Sequence, residues 1–365
     1  MTPAWLPAPD SIWNSFRSSS KRHIILTGGR GTGKTTLLRK LFSGTELFDG
    51  TALHGISTYA VPGKAVYLRE NGTAKDILIG KFDGTLPGPE NRMRPDREAF
   101  VSAGIPLLEK LASSGDEWVS IDEIGYLETA CPEYCTAIEH LFDKRRVAAV
   151  VRKQSLPFLQ SLCGREDVFL VDLDKPFGSI SCVIMASGLG TRFGGNKLMA
   201  DFHGEPMILR AVKATEGIFE KRIVVTRHAD VEALCRRHGI DCILHDLPHR
   251  NDTVRLGIEA AGDTEACVFC PGDQPLLRQE TVAALALSAK NAPEDIWRIR
   301  FEDTHGAPVL FPKWAFAELS ALPEGKGGGF LVKKYPERLK TVSAEDRFEL
   351  MDADTPEDLE FLQNQ

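Results

Sequence analysis

Gly28-Gly29-Arg30-Gly31-Thr32-Gly33-Lys34-Thr35 follows the apolar run His23-Ile24-Ile25-Leu26 and opens onto the helical pattern Lys34–Phe42. Strand, glycine loop and helix in that order form the complete P-loop pattern. Its glycines let backbone N–H groups curl around phosphate oxygens. Lys34 reaches the β and γ phosphates, Thr35 suits Mg²⁺, and Thr36 continues the phosphate-facing turn. A second loop, Ala186-Ser187-Gly188-Leu189-Gly190-Thr191-Arg192-Phe193-Gly194-Gly195, follows Cys182-Val183-Ile184-Met185, with Lys197 just beyond. It lacks the Gly-Lys-Thr ending. It also lacks the tight glycine run and acidic ribose clamp of a dinucleotide-binding turn. Two loops built differently imply two chemistries.

The chain is long enough, at 365 residues, for two domains that each bury a core. In the first half, strand-like runs at 22–27, 65–68, 77–80, 117–121, 147–151 and 168–171 alternate with helical patterns at 34–42, 97–113 and 135–143. That alternation predicts a mainly parallel sheet covered on both faces. A short glycine-containing stretch, Phe177 to Ile180, marks the boundary. Beyond it, strands at 181–185, 222–226, 242–244, 266–270, 296–300, 307–311 and 339–342 alternate with helices at 206–214, 231–238, 253–261, 278–289, 313–322 and 355–362. The organisation expected is an arm over 1–20, a P-loop domain over 21–176 and a second α/β domain over 177–365. Trp5, Leu6, Ile12, Trp13 and Phe16 are expected either to pack on the first domain or to form a loose tail.

A P-loop needs acids at the end of another strand. Trp118-Val119-Ser120-Ile121-Asp122-Glu123 supplies them. Asp122 suits the outer shell of Mg²⁺, and Glu123 is placed to activate a water against the γ-phosphate. With the P-loop, Asp122-Glu123-Ile124-Gly125-Tyr126-Leu127-Glu128 resembles the THEP-type nucleoside-triphosphatases. Gly104-Ile105-Pro106-Leu107-Leu108 and Val150-Val151-Arg152-Lys153-Gln154-Ser155 extend the likeness over roughly Lys21 to Lys175. Val151 stands where that family usually has His. Arg152 matches the family's Arg and would stabilise charge on the transferred phosphoryl group. The resemblance implies slow, broad hydrolysis of ATP or GTP.

In the second loop, Arg192 and Lys197 suit a triphosphate lying along the glycines, offsetting charge on the α phosphate and on departing pyrophosphate. Cys267-Val268-Phe269-Cys270-Pro271-Gly272-Asp273-Gln274-Pro275-Leu276 brings Asp273, a candidate Mg²⁺ ligand, to a strand end. Near the C-terminus, Met351-Asp352-Ala353-Asp354-Thr355-Pro356-Glu357-Asp358 opens a helix. Thr355 and Pro356 are capping residues, which leaves Asp352 or Asp354 to complete the metal site.

These pieces, with Phe202-His203-Gly204-Glu205-Pro206-Met207, resemble the molybdenum cofactor nucleotidyltransferases over about 180 to 363. Arg250-Asn251-Asp252-Thr253-Val254-Arg255-Leu256-Gly257 resembles the stretch that covers the nucleotide, so Asp252 and Arg255 are carried as nucleotide-binding candidates. Gly306–Phe311 and Gly325–Gly329 resemble pterin-side segments. The fold class implied is α/β with two domains: a P-loop NTPase sheet followed by a Rossmann-like nucleotidyltransferase domain of three α/β/α layers. The activity implied is transfer of a nucleotidyl group onto molybdopterin or its metal-loaded form. Asp273-Gln274-Pro275-Leu276 resembles the cytidylyl branch more than the guanylyl branch, favouring CTP over GTP. Ser187 departs from both, where another small residue is usual. Transfer onto a different phosphorylated acceptor, or a non-catalytic carrier with a P-loop switch, remain the alternatives. The fusion suggests that NTP hydrolysis assists cofactor handling or delivery to a molybdenum hydroxylase apoenzyme.

The formal net charge of −7 argues against broad nucleic-acid binding. No apolar stretch is long enough to span a bilayer. Residues 1–20 lack the basic start and apolar core of a secretory segment. The 8 cysteines include the close pairs Cys131/Cys135 and Cys267/Cys270, but neither has a second pair of ligands, so reduced thiols and a cytoplasmic location are expected.

Overall fold

The computed structural model describes residues 6–43, 53–86 and 92–365. Its described residues fall into two compact units. One is Ser19–Pro176; the other joins the chain up to Ser18 with Phe177–Gln365. Among the described residues, no helix is long and apolar enough to cross a membrane.

The first unit is built on eight strands: β1 (His23–Thr27), β2 (Gly55–Val61), β3 (Ala65–Glu70), β4 (Asp76–Phe82), β5 (Met93–Pro95), β6 (Trp118–Ile124), β7 (Arg146–Val151) and β8 (Val168–Asp172), in the order β5-β4-β3-β2-β6-β7-β1-β8. β2, β6, β7, β1 and β8 run parallel, and β3, β4 and β5 extend the sheet antiparallel. The expected mainly parallel sheet is therefore mixed at one end. β1 is buried along its whole length and β7 from Val147 to Val151. Continuous Ile, Val and Ala runs fit strands covered on both faces. β7 lies between the P-loop strand β1 and the acid-bearing strand β6. Residues just beyond β7 thus come up beside the acids.

The second sheet has seven strands: β9 (Ile180–Ala186), β12 (Lys221–Thr226), β13 (Asp241–Leu244), β14 (Ala266–Pro271), β15 (Ile296–Phe301), β16 (Thr304–Pro312) and β17 (Leu339–Ser343), ordered β13-β12-β9-β14-β16-β15-β17. β10 (Asp201–Phe202) and β11 (Glu205–Pro206) form a separate small ladder. β13, β12, β9 and β14 are parallel, and β16 pairs antiparallel with both β14 and β15. The glycine loop leaves the interior strand β9, and Asp273 follows its neighbour β14. Both lie at the carboxyl edge of the sheet, where open α/β sheets place their ligands.

The arm corrects the sequence reading. Residues Pro9–Ser18 form a helix whose Ile12, Trp13 and Phe16 are buried. It packs in the second unit, not on the first domain. Ser11 Oγ donates to Glu280 O at 3.0 Å, the Ser15 and Ser288 hydroxyls meet at 2.7 Å, and Asn14 Nδ2 donates to Ser343 O at 2.6 Å. The partner helix, Gln279–Asn291, is buried at every residue from Thr281 to Ala289. A helix apolar all round needs cover on both sides; the sheet supplies one cover and the arm the other. Leu6 is exposed, and Trp5 lies outside the described residues.

The cysteines are free thiols. Burial pushes the Cys135 thiol up to about 12 and the Cys163 thiol up to about 11.

Candidate active sites

In the first unit, β1 ends at Thr27, and the helix Lys34–Phe42 starts directly after Gly33. Lys34 is buried. Its Nζ donates to Gly28 O at 3.0 Å and to Gly29 O at 2.6 Å. Thr32 Oγ1 also donates to Gly29 O. Thr35 Oγ1 donates to Asp122 Oδ1 at 3.0 Å, joining the P-loop helix to the end of β6. Arg30, Gly31 and Thr36 are exposed at the loop surface. Burial raises the Asp122 carboxyl pKa, against the lowering effect of the Thr35 bond. The Thr35 hydroxyl and Asp122 carboxylate are an all-oxygen pair that fits Mg²⁺.

Arg152, just past β7, donates from Nε to Glu123 Oε1. Its side chain crosses Gly125 so closely that a Cβ there would lie 2.8 Å from Arg152 Cδ. Glycine in the Asp-Glu-Ile-Gly run is thus what lets the arginine reach the glutamate. Glu128 is buried, accepts from Gly125 N at 2.8 Å, and is pushed up to about 7 by desolvation. Sequence reasoning missed Asp174. Both its carboxylate oxygens accept from Gly29 N at 3.0 Å, and Lys153 bridges it to Asp172. The available signal was its place just past β8, at the same sheet edge.

In the second unit, the loop after β9 folds back on itself. Gly190 has φ +61°, and a Cβ there would meet Gly195 O at 2.4 Å. Only glycine fits that close approach. Lys197 is buried. Its Nζ lies 2.6 Å from Asp273 Oδ2 and 2.8 Å from Asp354 Oδ1. Arg192 Nη2 donates to Asp354 Oδ2 at 2.6 Å. Ala353 N donates to Asp273 O at 2.9 Å, tying the C-terminal segment to the end of β14. Three distant segments therefore meet through Arg192, Lys197, Asp273 and Asp354. Burial works against the Lys197 charge, but Asp273 and Asp354 outweigh it and its pKa is raised.

Asp352 takes a different place. Its Oδ1 accepts from Gln274 Nε2 at 3.0 Å, and burial, then the Asp273 charge, push it up to about 6. Two carboxylates that repel one another are a donor set suited to a divalent cation. Among the described residues no group of three or more His, Cys, Asp or Glu side chains gathers as a metal cage. Thr355 accepts from Asp358 N and Asp358 accepts from Thr355 N, so capping uses those two side chains.

Asp252 and Arg255 are not hydrogen-bonded to the loop. Asp252 Oδ2 accepts from His249 N, and Arg255 pairs with Glu259 at 3.0 Å. Their neighbour Thr253 has Oγ1 3.5 Å from Nε2 of His245, just past β13. Gly325 N donates to Asn251 Oδ1, so the Gly325–Gly329 segment sits at the start of the helix Arg250–Ala261. His245 and His228, both in contact with the glycine loop, were also missed. A single histidine after a strand carries no motif.

Known proteins resemble each half of the chain separately. Residues 23–176 match the NTPase family model, and residues 182–339 match the model of the MobA-like NTP transferase domain. Nucleoside-triphosphatase THEP1 of Thermotoga maritima is 26% identical over 162 residues, spanning 42% of this chain and 86% of that protein. A 3-deoxy-manno-octulosonate cytidylyltransferase of Neisseria meningitidis serogroup A is 34% identical over 92 residues, 24% of this chain and 36% of that enzyme. Among solved structures, Rv0371c of Mycobacterium tuberculosis aligns with TM-score 0.47 and 21% identity over 51% of this chain and 99% of its own. Molybdopterin-guanine dinucleotide biosynthesis protein A of Archaeoglobus fulgidus aligns with TM-score 0.40 and 18% identity, over 50% and 97%.

Proposed function

We propose that this chain, an NTPase domain joined to a MobA-like NTP transferase domain, is a bifunctional enzyme. Its second unit transfers a cytidylyl group from CTP to molybdopterin or its metal-loaded form. The observation that carries this reading is the convergence of Arg192 and Lys197 with Asp273 and Asp354 at the mouth of the glycine loop. Such a cluster supports in-line displacement. The acceptor phosphate oxygen forms a bond to the α phosphorus, the bond from that phosphorus to the bridging oxygen breaks, and pyrophosphate departs. Arg192 and Lys197 would offset the charge that builds on the α phosphate and the leaving group. Asp354, bonded to both, fixes their positions. Asp273 and Asp352 would hold Mg²⁺, which supplies charge neutralisation on the phosphates.

The first unit, by the same reasoning, hydrolyses ATP or GTP. Lys34 would turn from its loop carbonyls to the phosphates, and Thr35 and Asp122 would hold Mg²⁺. Glu123 would take the proton of the attacking water, and Arg152 would stabilise the transferred phosphoryl group. We read this hydrolysis as assisting delivery of the product to a molybdenum hydroxylase apoenzyme.

The choice of CTP rests on the Asp273-Gln274-Pro275-Leu276 sequence. The partial match to a cytidylyltransferase points the same way, and because that enzyme is named for a sugar acid it also favours a second reading: cytidylyl transfer onto a sugar-type acceptor. Incubating the protein with CTP and, separately, molybdopterin and a panel of sugar acids and sugar phosphates, with mass analysis of products, separates the two. A cytosine dinucleotide of molybdopterin is the expected product. A nucleotide sugar alone would replace the first reading with the second.

A further inference from the structure

Three consecutive residues at the start of the second glycine loop are held from outside it. Thr226, the last residue of β12, donates from Oγ1 to Ala186 O at 2.8 Å. His245, just past β13, lies with Nε2 at 2.9 Å from Ser187 Oγ. His228, just past β12, lies with Nε2 at 2.8 Å from Gly188 O. Thr226 also organises both histidines: its Oγ1 accepts from His228 N at 3.1 Å, and its carbonyl accepts from His245 N at 3.0 Å. These contacts follow from the strand order β13-β12-β9, which brings three adjacent carboxyl ends to the loop.

The partners of the two rings point to their protonation. A carbonyl oxygen only accepts, so His228 must carry its proton on Nε2. Ser187 Oγ also donates to Val225 O at 3.0 Å. With the one hydroxyl proton directed to Val225 O, Ser187 accepts from His245 Nε2–H, a nitrogen that also lies 3.5 Å from Thr253 Oγ1. That leaves His245 Nδ1 as a bare acceptor, buried and without a hydrogen-bond partner. Burial, then the charge of Arg227, lowers the His245 pKa, which agrees with a neutral ring.

We propose that His228 and His245 are positioning residues that hold Ser187 and Gly188, as Nε2–H donors, in the conformation that receives the nucleotide. The inference rests on the nucleotidyltransferase reading of this loop. The loop's far end is fixed by Arg192 and Lys197 on the acids. Its near end has this clamp, and Leu189 between them is 65% exposed. A glycine-rich segment left free must be ordered by the ligand itself, which weakens binding; one already ordered avoids that loss. The two histidines therefore act on nucleotide affinity, while the reacting groups set the chemical step.

The test uses the full chain carrying Lys34→Ala, so that the P-loop does not dominate nucleotide binding. CTP binding with Mg²⁺ is read by equilibrium dialysis, and KM for CTP and kcat by pyrophosphate release. His228→Leu and His245→Leu should each weaken CTP binding and raise its KM by about tenfold, the loss of roughly one hydrogen bond, with kcat nearly unchanged. His228→Gln and His245→Gln, whose amide N–H can take the place of Nε2–H, should restore most of that loss. Ser187→Ala should repeat the His245→Leu defect and serves if a leucine variant does not fold. CTP binding lost on Arg192→Ala but unchanged in folded leucine variants would overturn the clamp. So would leucine defects that appear only in kcat, or that glutamine fails to relieve. If the parent shows no Arg192-dependent CTP binding at all, the underlying assignment of the loop fails first, and the clamp with it.

Discussion

The two glycine loops each bury a lysine, but they hold it differently. Lys34 rests on the carbonyl oxygens of Gly28 and Gly29, within its own loop. Lys197 rests on the carboxylates of Asp273 and Asp354, brought from the end of β14 and from the C-terminal segment. The P-loop is thus a nearly local device: strand, turn, lysine and helix start are contiguous, and Asp122, Glu123, Arg152 and Asp174 are brought to it from other strand ends. The second loop is an assembly. Both its cations reach the C-terminal segment through Asp354. Neutral carbonyls also compete weakly with a phosphate for an ammonium, whereas carboxylates compete strongly. The second site must therefore rearrange its ion pairs, or share them with a divalent cation, when a nucleotide enters.

The sharpest way to break this contrast is to disable one loop and read both. Asp273→Ala should reduce pyrophosphate release by about a thousandfold, as expected for removing a group that organises transition-state charge, and leave phosphate release at the P-loop unchanged. Lys34→Ala should do the converse. Loss of both activities in either variant would show that the two sites are not separable.

A second, smaller effect tests the assembled character of the second unit. Ile12 is fully buried in the arm helix, so Ile12→Ala should destabilise the unit containing Phe177–Gln365 by about 2–5 kcal/mol. Unfolding of the Ser19–Pro176 unit should not shift. Chemical denaturation followed by pyrophosphate release and by P-loop phosphate release reports the two units separately. Equal shifts in both would contradict the assignment of the arm.

The smallest effect belongs to the local unit. Glu128 has its folded pKa raised from 4.5 to about 7 by burial. The folded state therefore disfavours the ionised form, and the resulting destabilisation grows as pH rises through that window and is constant above it. Glu128→Gln keeps an acceptor for Gly125 N and should stabilise the first unit by about 1–3 kcal/mol above the folded pKa. The gain should disappear at pH below the unfolded value. Denaturation midpoints across that range check the sign.

This same contrast explains what the sequence disclosed. The P-loop, Asp122 and Glu123 were legible because each occupies a fixed place relative to a strand end, and Arg152 through the resemblance to the THEP-type family. Arg192, Lys197, Asp273 and the C-terminal acids were legible one by one, and capping logic correctly released Asp354 from the helix start. Their mutual geometry was not, because nothing in spacing tells which of Asp352 and Asp354 meets the lysine. Asp252 and Arg255 were named as nucleotide contacts, yet the structure gives them a capping bond and an ion pair on their own helix. The arm shows the same gap at the level of packing. Its apolar residues required a partner but did not name one, and the structure supplies it in the helix Gln279–Asn291, buried from Thr281 to Ala289. β2 was passed over because its residues after Ile56 are only partly buried or exposed, leaving no strong apolar run.

The measurement that bears most directly on the account is pyrophosphate release by the full chain with Mg²⁺ and molybdopterin, comparing CTP with GTP. Release with CTP is expected, with little from GTP and about a thousandfold less from Asp273→Ala. Release with GTP alone would contradict the base assignment. The absence of pyrophosphate with either nucleotide, while the P-loop still releases phosphate, would contradict the transferase function itself.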